Sequence, residues 1–364
     1  MRVALSALAV LGALATLGVE AAHAWDYAAG ITAAYDDNFL NYSERDLFAF
    51  RYRLNPPRYG VETTDDFVLA PYVEVSREAD SVRSASLRAR IVAPRYTTNT
   101  IRNHAQTELQ GRVWLSPRWR ASLGASYLHS YYARRYVDHD LAVPYPELPR
   151  YRDARYRQTE GAAGIEWRPG RSWRGQVGYE YGRRDYLEAF PERDQDRHAL
   201  KLSVRPPRLG RVEARVRGGV GRTLARGRSR AQDGNDGNQD DGSPSVPDVS
   251  TWSFGTGLVL GWTPRPRDPS ITLRQAIDYE NRHYTTSDAS DTQRFGRSIH
   301  ETDLEWEVVV GLARHWQIAG GYDLVVQRLT GPQSGLQVFT DAGNYHRHGV
   351  SLRLGWTSRA SRSD

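Results

Sequence analysis

Apolar and polar side chains alternate along many short segments of this chain, and short and long connections between the segments follow one another in turn. In the segment 252–262 the even positions are mostly large and apolar, whereas the odd positions are small or polar. A period of two is typical of β-strands with one apolar face. No helical pattern is available to cover a sheet of such strands, so lipid would cover it. The sequence therefore predicts an all-β fold, a transmembrane antiparallel up-and-down β-barrel.

The barrel is predicted to have about 14 strands, with about 12 to 16 possible, and most strands are long enough to cross a bilayer at a tilt. Pro71 lies inside one strand, where it removes a ladder hydrogen bond, and a β-bulge is expected there. The predicted strands are 25–37, 66–77, 83–95, 104–115, 118–132, 154–168, 172–185, 195–205, 210–224, 250–262, 270–284, 296–310, 314–328 and 345–357.

The connections fall into two classes. Those at 116–118, 169–171, 206–210 and 264–269 are tight and rich in turn-forming residues. Bacterial barrels place short turns in the periplasm and long loops outside, so an even strand count brings both termini to the periplasm. The longer, polar connections are 38–65, 133–153, 186–194, 225–249, 285–295 and 329–344.

Residues 1–24 have the pattern of a secretory signal peptide, with Arg2, an apolar run over 4–19 and a small-x-small site that ends at Ala24. Cleavage would leave Trp25 as the first residue. The expected organisation is thus a signal peptide (1–24), an outer-membrane barrel (25–357) and a short polar tail (358–364). After residue 24 no stretch approaches the length of an apolar helical span.

Charged side chains occupy the face of the predicted strands that alternates with the apolar face, and this face would line the lumen. Acidic and basic arcs facing each other across a wet pore can select and orient polar solutes. The alternative interpretation is a set of cross-strand ion pairs that fill and stiffen a narrow barrel. The candidate lumen residues are Arg88, Arg90, Glu108, Arg112, Glu213, Arg215, Arg217, Arg274, Asp278, Glu280, Glu301, Asp303, Glu305, Glu307, Asp323 and Arg353.

Tryptophans are concentrated beside the predicted short turns, whereas tyrosines lie closer to the long loops. Amphipathic rings prefer the headgroup level of a bilayer, so this sorting predicts two aromatic girdles. The ordinary β-propensity of aromatic residues is the competing explanation. The tryptophans assigned to the girdle on the short-turn side are Trp114, Trp119, Trp167, Trp173, Trp262, Trp316 and Trp356.

Other kinds of site have weak support. The chain has no cysteine, and the oxygen-rich segment 233–242 lacks the closing glutamate of a calcium loop. His198 and Ser203 could be imagined as a catalytic pair, but no nucleophile elbow surrounds them. The net charge of +6 is spread among acidic residues rather than clustered. We therefore expect no cofactor, no metal, no catalytic residue and no nucleic-acid partner.

The segment 28–40, AAGITAAYDDNFL, resembles the opening strand of a family of bacterial outer-membrane β-barrel porins, in which the first strand ends in Tyr-Asp-Asp-Asn or a similar sequence before a long outer loop. The resemblance implies a porin-like barrel, and some members of the family are associated with exopolysaccharide or capsule export. Many such barrels end on an aromatic residue that the assembly machinery reads. Here residues 357–364 follow Trp356, which departs from that pattern.

The favoured function is passage of ions or small polar solutes through a lumen that the loops at 38–65, 133–153 and 225–249 partly occlude. A conduit or accessory barrel of an exopolysaccharide export system is the second hypothesis, and a structural or adhesive barrel with a filled lumen is the third. A membrane-embedded phospholipase or protease is the fourth. The expected partners are the lipid bilayer with its lipopolysaccharide, the outer-membrane assembly machinery, and small polar solutes or glycans.

Overall fold

The structure is a computed structural model. Several predicted features lie wholly or mostly outside the residues that it describes. They are the signal segment with Ala24 at its end, the connections 133–153, 225–249 (with the oxygen-rich loop at 233–242), 264–269, 285–295 and 329–344, and the polar tail from residue 359. The described residues are 25–54, 56–78, 85–137, 151–170, 172–187, 190, 193–225, 250–265, 270–285, 296–313, 315–331 and 344–358.

Strands dominate the described part of the chain, as the period-two pattern predicts. Their bounds are β1 (Asp26–Asp36), β2 (Asp66–Glu78), β3 (Ala85–Val92), β4 (Arg95–Tyr96), β5 (Gln106–Ser116), β6 (Trp119–Val137), β7 (Tyr151–Trp167), β8 (Arg174–Tyr186), β9 (Gln195–Arg205), β10 (Val212–Ala225), β11 (Thr251–Arg265), β12 (Ile271–Tyr284), β13 (Ser298–Ala313), β14 (Trp316–Thr330) and β15 (Tyr345–Thr357).

The sheet closes on itself. Apart from β4, each strand pairs antiparallel with the strands before and after it in the chain. The ring closes because β1 pairs with both β15 and β2, so that Ile31 lies opposite Leu354 on one side and Pro71 on the other. The two-residue strand β4 continues the line of β3 along β2. The ring therefore contains 14 strands, and the prediction of a closed up-and-down barrel of about this size is confirmed.

The expected bulge at Pro71 is wrong. Val92 pairs with Tyr72 and Arg95 pairs with Leu69, so the register of β2 against β3 and β4 is unbroken across Pro71. The Pro71 carbonyl still accepts a hydrogen bond from the Ala93 amide at 3.0 Å. Pro71 is accommodated because its missing N–H faces the short gap between β3 and β4, where the neighbouring strand is already irregular.

Within the described residues, the helices lie in connections at the loop end. A short helix, α1 (Glu44–Arg51), lies in the connection between β1 and β2, and its N-cap residue Ser43 accepts a hydrogen bond from the Asp46 amide at 3.1 Å. Two 3-10 turns lie at Pro56–Arg58 and Thr100–Arg102. None of the helices in the described ranges combines the length and apolar character needed to cross a membrane.

The largest group of buried apolar side chains lies at the loop end of the barrel and not between strands. Phe39, Leu40, Tyr42 and Tyr59 come from the connection between β1 and β2, and they pack with Tyr132 of β6. The strand β6 carries bulges between Leu128 and Arg134, where its register against β7 shifts twice. Bulges redirect side chains, and here they accompany the turn of Tyr132 towards this cluster.

Candidate functional site: the charged lumen and its cap

The outer face of the barrel is apolar, and its side chains are exposed. In β15 the side chains of Val350, Leu352 and Leu354 are 56%, 54% and 41% exposed, and they alternate with Ser351 and Arg353 on the opposite face. Directly opposed residues on neighbouring strands share a face, so the register carries this alternation around the ring. Such a continuous exposed apolar surface is characteristic of a surface covered by lipid.

The register places all sixteen predicted lumen residues on the inward face. Asp278, for example, lies between Gly257 of β11 and Asp303 of β13, whereas its neighbour Ile277 lies between the outward residues Leu258 and Leu304. The residues that strand pairing assigns to the inward face are Arg88, Arg90, Glu108, Arg112, Glu213, Arg215, Arg217, Arg274, Asp278, Glu280, Glu301, Asp303, Glu305, Glu307, Asp323 and Arg353.

Several of these residues form ion pairs that cross strands. Arg353 binds Glu307 at 2.8 Å across β14, and Arg217 binds Asp278 across β11. Each such pair neutralises part of the lumen wall. Further pairs that include predicted residues are Arg88–Glu74, Arg205–Glu213, Arg208–Glu213, Arg197–Glu280, Arg282–Glu280, Arg282–Glu301 and Arg347–Asp323.

The remaining predicted residues make no ion pair with the described part of the chain. Arg90 stacks on the ring of Tyr72 at 4.6 Å, and Glu108 and Arg112 bind glutamine side chains. These groups keep a net charge that a solute in the lumen would sense. The residues without an ion pair among described residues are Arg90, Glu108, Arg112, Arg215, Arg274, Asp303 and Glu305.

A cavity of about 590 Å³ lies within the lumen. Its polar wall combines Lys201, Arg215 and Arg217 with Glu180, Asp278 and Asp303. Ligand sites commonly have volumes of about 300–1,000 Å³, so this space is sufficient for a small polar solute. The predicted acidic and basic residues therefore meet at one water-accessible space.

A packed group of connecting segments lies at the loop end of the barrel. We call it the cap and define it as the described residues of 37–65 together with residues 97–105. Its buried centre is Arg102, which is 8% exposed and whose guanidinium lies over the rings of Phe39, Tyr96 and Tyr131 at 5.0, 5.6 and 4.7 Å. Arg102 also donates to the Phe39 carbonyl and to the Tyr131 hydroxyl. The cap thus joins β1 to β6 across the edge of the opening.

Burial shifts the pKa values of titratable side chains in the cap. Burial lowers the pKa of the Arg102 guanidinium, and it also lowers the pKa of His104, whose Nδ1 lies 2.9 Å from the Arg102 carbonyl. Burial raises the pKa of Tyr42 to about 12. Arg134 of β6 reaches the Leu40 carbonyl. Residues 38–65 of the predicted occluding loops are therefore fixed against the barrel, whereas most of 133–153 and 225–249 lies outside the described residues.

One carboxylate holds the two parts of the cap together. Asp66 is 3% exposed and accepts hydrogen bonds from the backbone amides of Thr97, Thr98 and Asn99 at 3.1, 3.1 and 2.7 Å. The Asn99 side chain in turn accepts from the Glu62 amide at 2.8 Å. Three successive N–H groups that converge on one carboxylate form a compact anchor.

Six of the seven tryptophans assigned to the girdle are exposed, and the seventh, Trp114, faces inward. Trp119 and Trp167 stack on the outer face with centroids 6.2 Å apart. Trp114 instead shares the inward face with Arg120, because Val113 and Leu115 on either side of it are exposed outward. The girdle tryptophans that are exposed are Trp119, Trp167, Trp173, Trp262, Trp316 and Trp356.

Trp114 belongs to an inward cluster that sequence reasoning missed. Its ring lies between the guanidinium groups of Arg120 and Arg168, at 5.3 and 4.3 Å, and both arginines pair with Glu166. The sequence did contain a signal for the inward placement of Trp114. Residues two apart in a strand share a face, and Trp114 is two residues from the predicted lumen residue Arg112. Proximity to a short turn outweighed that phase in the prediction.

The candidate catalytic pair does not assemble. His198 faces outward, where its Nδ1 lies 2.6 Å from the Tyr179 hydroxyl, whereas Ser203 lies on the inward face beside Arg217. A nucleophile and its base must be within hydrogen-bonding reach of each other. The two residues occupy opposite sides of the barrel wall.

Comparison with known proteins found no matching family model and no matching curated protein. Solved structures that align include a bacterial polysaccharide outer membrane secretin, at 9% identity and a TM-score of 0.47, which covers 91% of this chain and 98% of that one. OmpT of Vibrio cholerae aligns at 8% identity and 0.43, covering 93% and 100%. An anion-selective porin from Comamonas acidovorans aligns at 9% identity and 0.39, covering 92% and 98%.

Proposed function

We propose that this protein is an outer-membrane barrel that forms an aqueous channel for ions or small polar solutes. The observation that carries the proposal is the division of one continuous wall into an exposed apolar outer face and a charged inner face around a cavity of about 590 Å³. An apolar outside requires a lipid environment, and charged side chains inside require water or ion pairing. A hydrated pore meets both requirements.

The same proposal fixes an orientation. The short turns, the start of β1 and the end of β15 lie at one end of the barrel. The hydrogen bond from the Ser358 amide to the Tyr27 carbonyl at 2.7 Å joins the last two. This end would face the periplasm, and the cap would face outward among lipopolysaccharide headgroups. Delivery would require the signal peptide at 1–24 and the outer-membrane assembly machinery.

Planar-bilayer recording of refolded protein tests the channel directly. Folded protein is expected to give discrete conductance steps. Gly124 faces inward with no atom closer than 3.7 Å to an added Cβ, so Gly124→Trp would place a large ring in the lumen and lower the single-channel conductance. Its neighbour Leu123 faces outward and is 68% exposed, so Leu123→Trp is the matched control and should leave the conductance unchanged.

Two results would contradict the proposal: an absence of conductance steps from protein with a full β-sheet circular dichroism spectrum, or equal conductance in both tryptophan variants. The first would favour a structural barrel with a filled lumen. The second would mean that the current passes outside the barrel interior.

The glycan-conduit hypothesis has less support from the lumen wall. Alternating acidic and aromatic side chains would favour sugar passage, because rings stack on sugar faces. The inward residues of β13 are acidic from Glu301 to Glu307, and the inward positions that face them on β12 and β14 include no aromatic ring between Arg274 and Arg282 or between Gln317 and Gln327. A charged wall of this kind suits ions and small charged solutes better.

A further inference from the structure

Charge inside the barrel is unevenly distributed along its axis. We define the short-turn zone as inward strand residues within four positions of the strand end next to a short connection or a terminus. It contains nine basic and five acidic side chains among the described residues, a formal charge of +4. They are Arg88, Arg112, Arg120, Arg174, Lys201, Arg205, Arg215, Arg274 and Arg353, with Asp26, Glu74, Glu78, Glu166 and Glu213.

The rest of the inward face has the opposite sign. We define the middle zone as the inward strand residues beyond the short-turn zone, up to the first bulge of β6. It contains six basic and twelve acidic side chains among the described residues, a formal charge of −6. They are Arg90, Arg184, Arg197, Arg217, Arg282 and Arg347, with Asp36, Asp66, Glu108, Glu160, Glu180, Asp278, Glu280, Glu301, Asp303, Glu305, Glu307 and Asp323.

Ion pairing leaves this separation in place. Most of the other charges pair within or between the zones, and the basic groups Arg90 and Arg184 of the middle zone are held on tyrosine rings at 4.6 and 4.5 Å. Among the described residues, four arginines of the short-turn zone make no ion pair, and neither do five carboxylates and two arginines of the middle zone. They are Arg112, Arg174, Arg215 and Arg274 in the short-turn zone, and Asp66, Glu108, Glu160, Asp303 and Glu305 with Arg90 and Arg184 in the middle zone.

We infer that the lumen is a bipolar pore that rectifies ion current, with an anion-attracting mouth at the short-turn end and a cation-attracting middle zone. This inference rests on the proposed channel function and deepens it. Fixed charge in a narrow, low-dielectric pore concentrates mobile ions of the opposite sign. Each zone therefore supplies a different carrier.

The order of the zones sets the direction of easy current. When the loop side is positive, cations enter through the acidic zone and anions enter through the basic zone, so both carriers accumulate in the pore. Reversing the potential drives both carriers out of the pore. Each carrier must then be replaced through the zone whose fixed charge has its own sign, so the pore becomes depleted of ions. The current at equal and opposite potentials should therefore be larger with the loop side positive.

Salt concentration controls the effect. The Debye length is about 10 Å at 0.1 M salt and about 3 Å at 1 M, so the fixed charges act across the lumen only in dilute salt. We expect a current ratio of about 2 between the two polarities in 0.1 M KCl and a ratio close to 1 in 1 M KCl.

The experiment uses full-length barrel inserted from one side of a planar bilayer, with its orientation established by protease cleavage of the loops. A variant with Arg112→Gln, Arg174→Gln and Arg215→Gln should lose most of the rectification and become more cation-selective. Asp303→Asn with Glu305→Gln should also lose it and become more anion-selective. The opposite shifts separate a charge effect from misfolding.

Arg183→Gln is the matched control, because Arg183 lies on the outer face beside Asp185, and it should leave both measurements unchanged. A conducting wild-type pore with equal currents at both polarities in dilute salt would overturn the bipolar inference and leave the channel proposal intact. Rectification of the opposite sign, or rectification that the charge variants leave unchanged, would also overturn it. An absence of conductance would reject the channel proposal itself.

Discussion

Replacing Asp66 with alanine should release the cap from the rim of the barrel. The Asp66 carboxylate accepts hydrogen bonds from three consecutive amides, those of residues 97–99, and from the side chains of Thr97 and Asn99 at 3.0 and 2.9 Å. Asp66 is almost fully buried, so alanine would leave the backbone amides of Thr98 and Asn99 without a partner at a site that water reaches poorly, whereas the Thr97 amide keeps the Phe67 carbonyl at 3.0 Å. The loss is local, because the ladder around β2 uses backbone groups.

The magnitude follows from the two orphaned backbone donors, the amides of Thr98 and Asn99. Each buried donor without a partner costs about 1 kcal/mol or more, which gives about 2 kcal/mol for the closed position of the segment 97–103. A difference of about 1.4 kcal/mol is a factor of ten in an equilibrium constant, so the population of the open segment should rise about 30-fold.

Amide hydrogen exchange followed by mass spectrometry measures this population. Peptides covering 97–103 and 60–65 should exchange about 30-fold faster in Asp66→Ala than in the wild type, while peptides from β12 and β13 stay protected. Asp65→Ala is the control, since the one donor to the Asp65 carboxylate among the described residues is the exposed Tyr35 hydroxyl at 2.9 Å. Equal exchange in the Asp66 variant and the wild type, or an equal acceleration in the control, would refute the anchor.

Three further outcomes are expected. Tyr132→Ala should destabilise the barrel by about 3–5 kcal/mol in denaturant titrations because Tyr132 is 0% exposed. Tyr132→Phe should change the free energy of unfolding by less than about 1 kcal/mol, because the Tyr132 hydroxyl has no hydrogen-bond partner among the described residues. Burial lowers the pKa of His104 from its ordinary value of 6.5, so the neutral imidazole stabilises the cap fully above pH 6.5. The cap should become sensitive to protease as the pH falls through the lowered pKa, and His104→Gln should remove this pH dependence. Leu123→Arg should cost about 2–4 kcal/mol of folding free energy in lipid vesicles, and Ser122→Arg, one residue away on the inward face, should cost less than half as much.

The regular part of the molecule could be predicted from sequence because it depends on a local rule. A period of two defines a strand and its two faces at once, so the strand ring and the inward phase of residues such as Glu305 and Arg353 follow from alternation alone. Strand bounds at the short turns are within a few residues of the prediction. At the loop end β6 runs to Val137, beyond the predicted 132, because the last strand residues extend past the rim.

The cap could not be predicted in the same way. Its contacts join residues far apart in sequence, such as Arg102 with Phe39 and Asp66 with Asn99, and the segment 38–65 has no periodic pattern that would indicate a packed core. The misplacement of Trp114 has a related cause. Nearness to a turn is a weaker constraint on a side chain than the strict alternation of the strand to which it belongs.

Which lumen charges stay free depends on the residues between them as much as on the charges. Gly257 of β11 lies directly between Arg217 and Asp278, and a Cβ on Gly257 would collide with the Asp278 carboxylate. The glycine therefore allows the ion pair to close across a whole strand. Asp303, on the next strand, makes no ion pair with the described part of the chain. Small inward residues thus decide how much of a charged wall is neutralised, and in this barrel they leave arginine charge near the short turns and carboxylate charge above it.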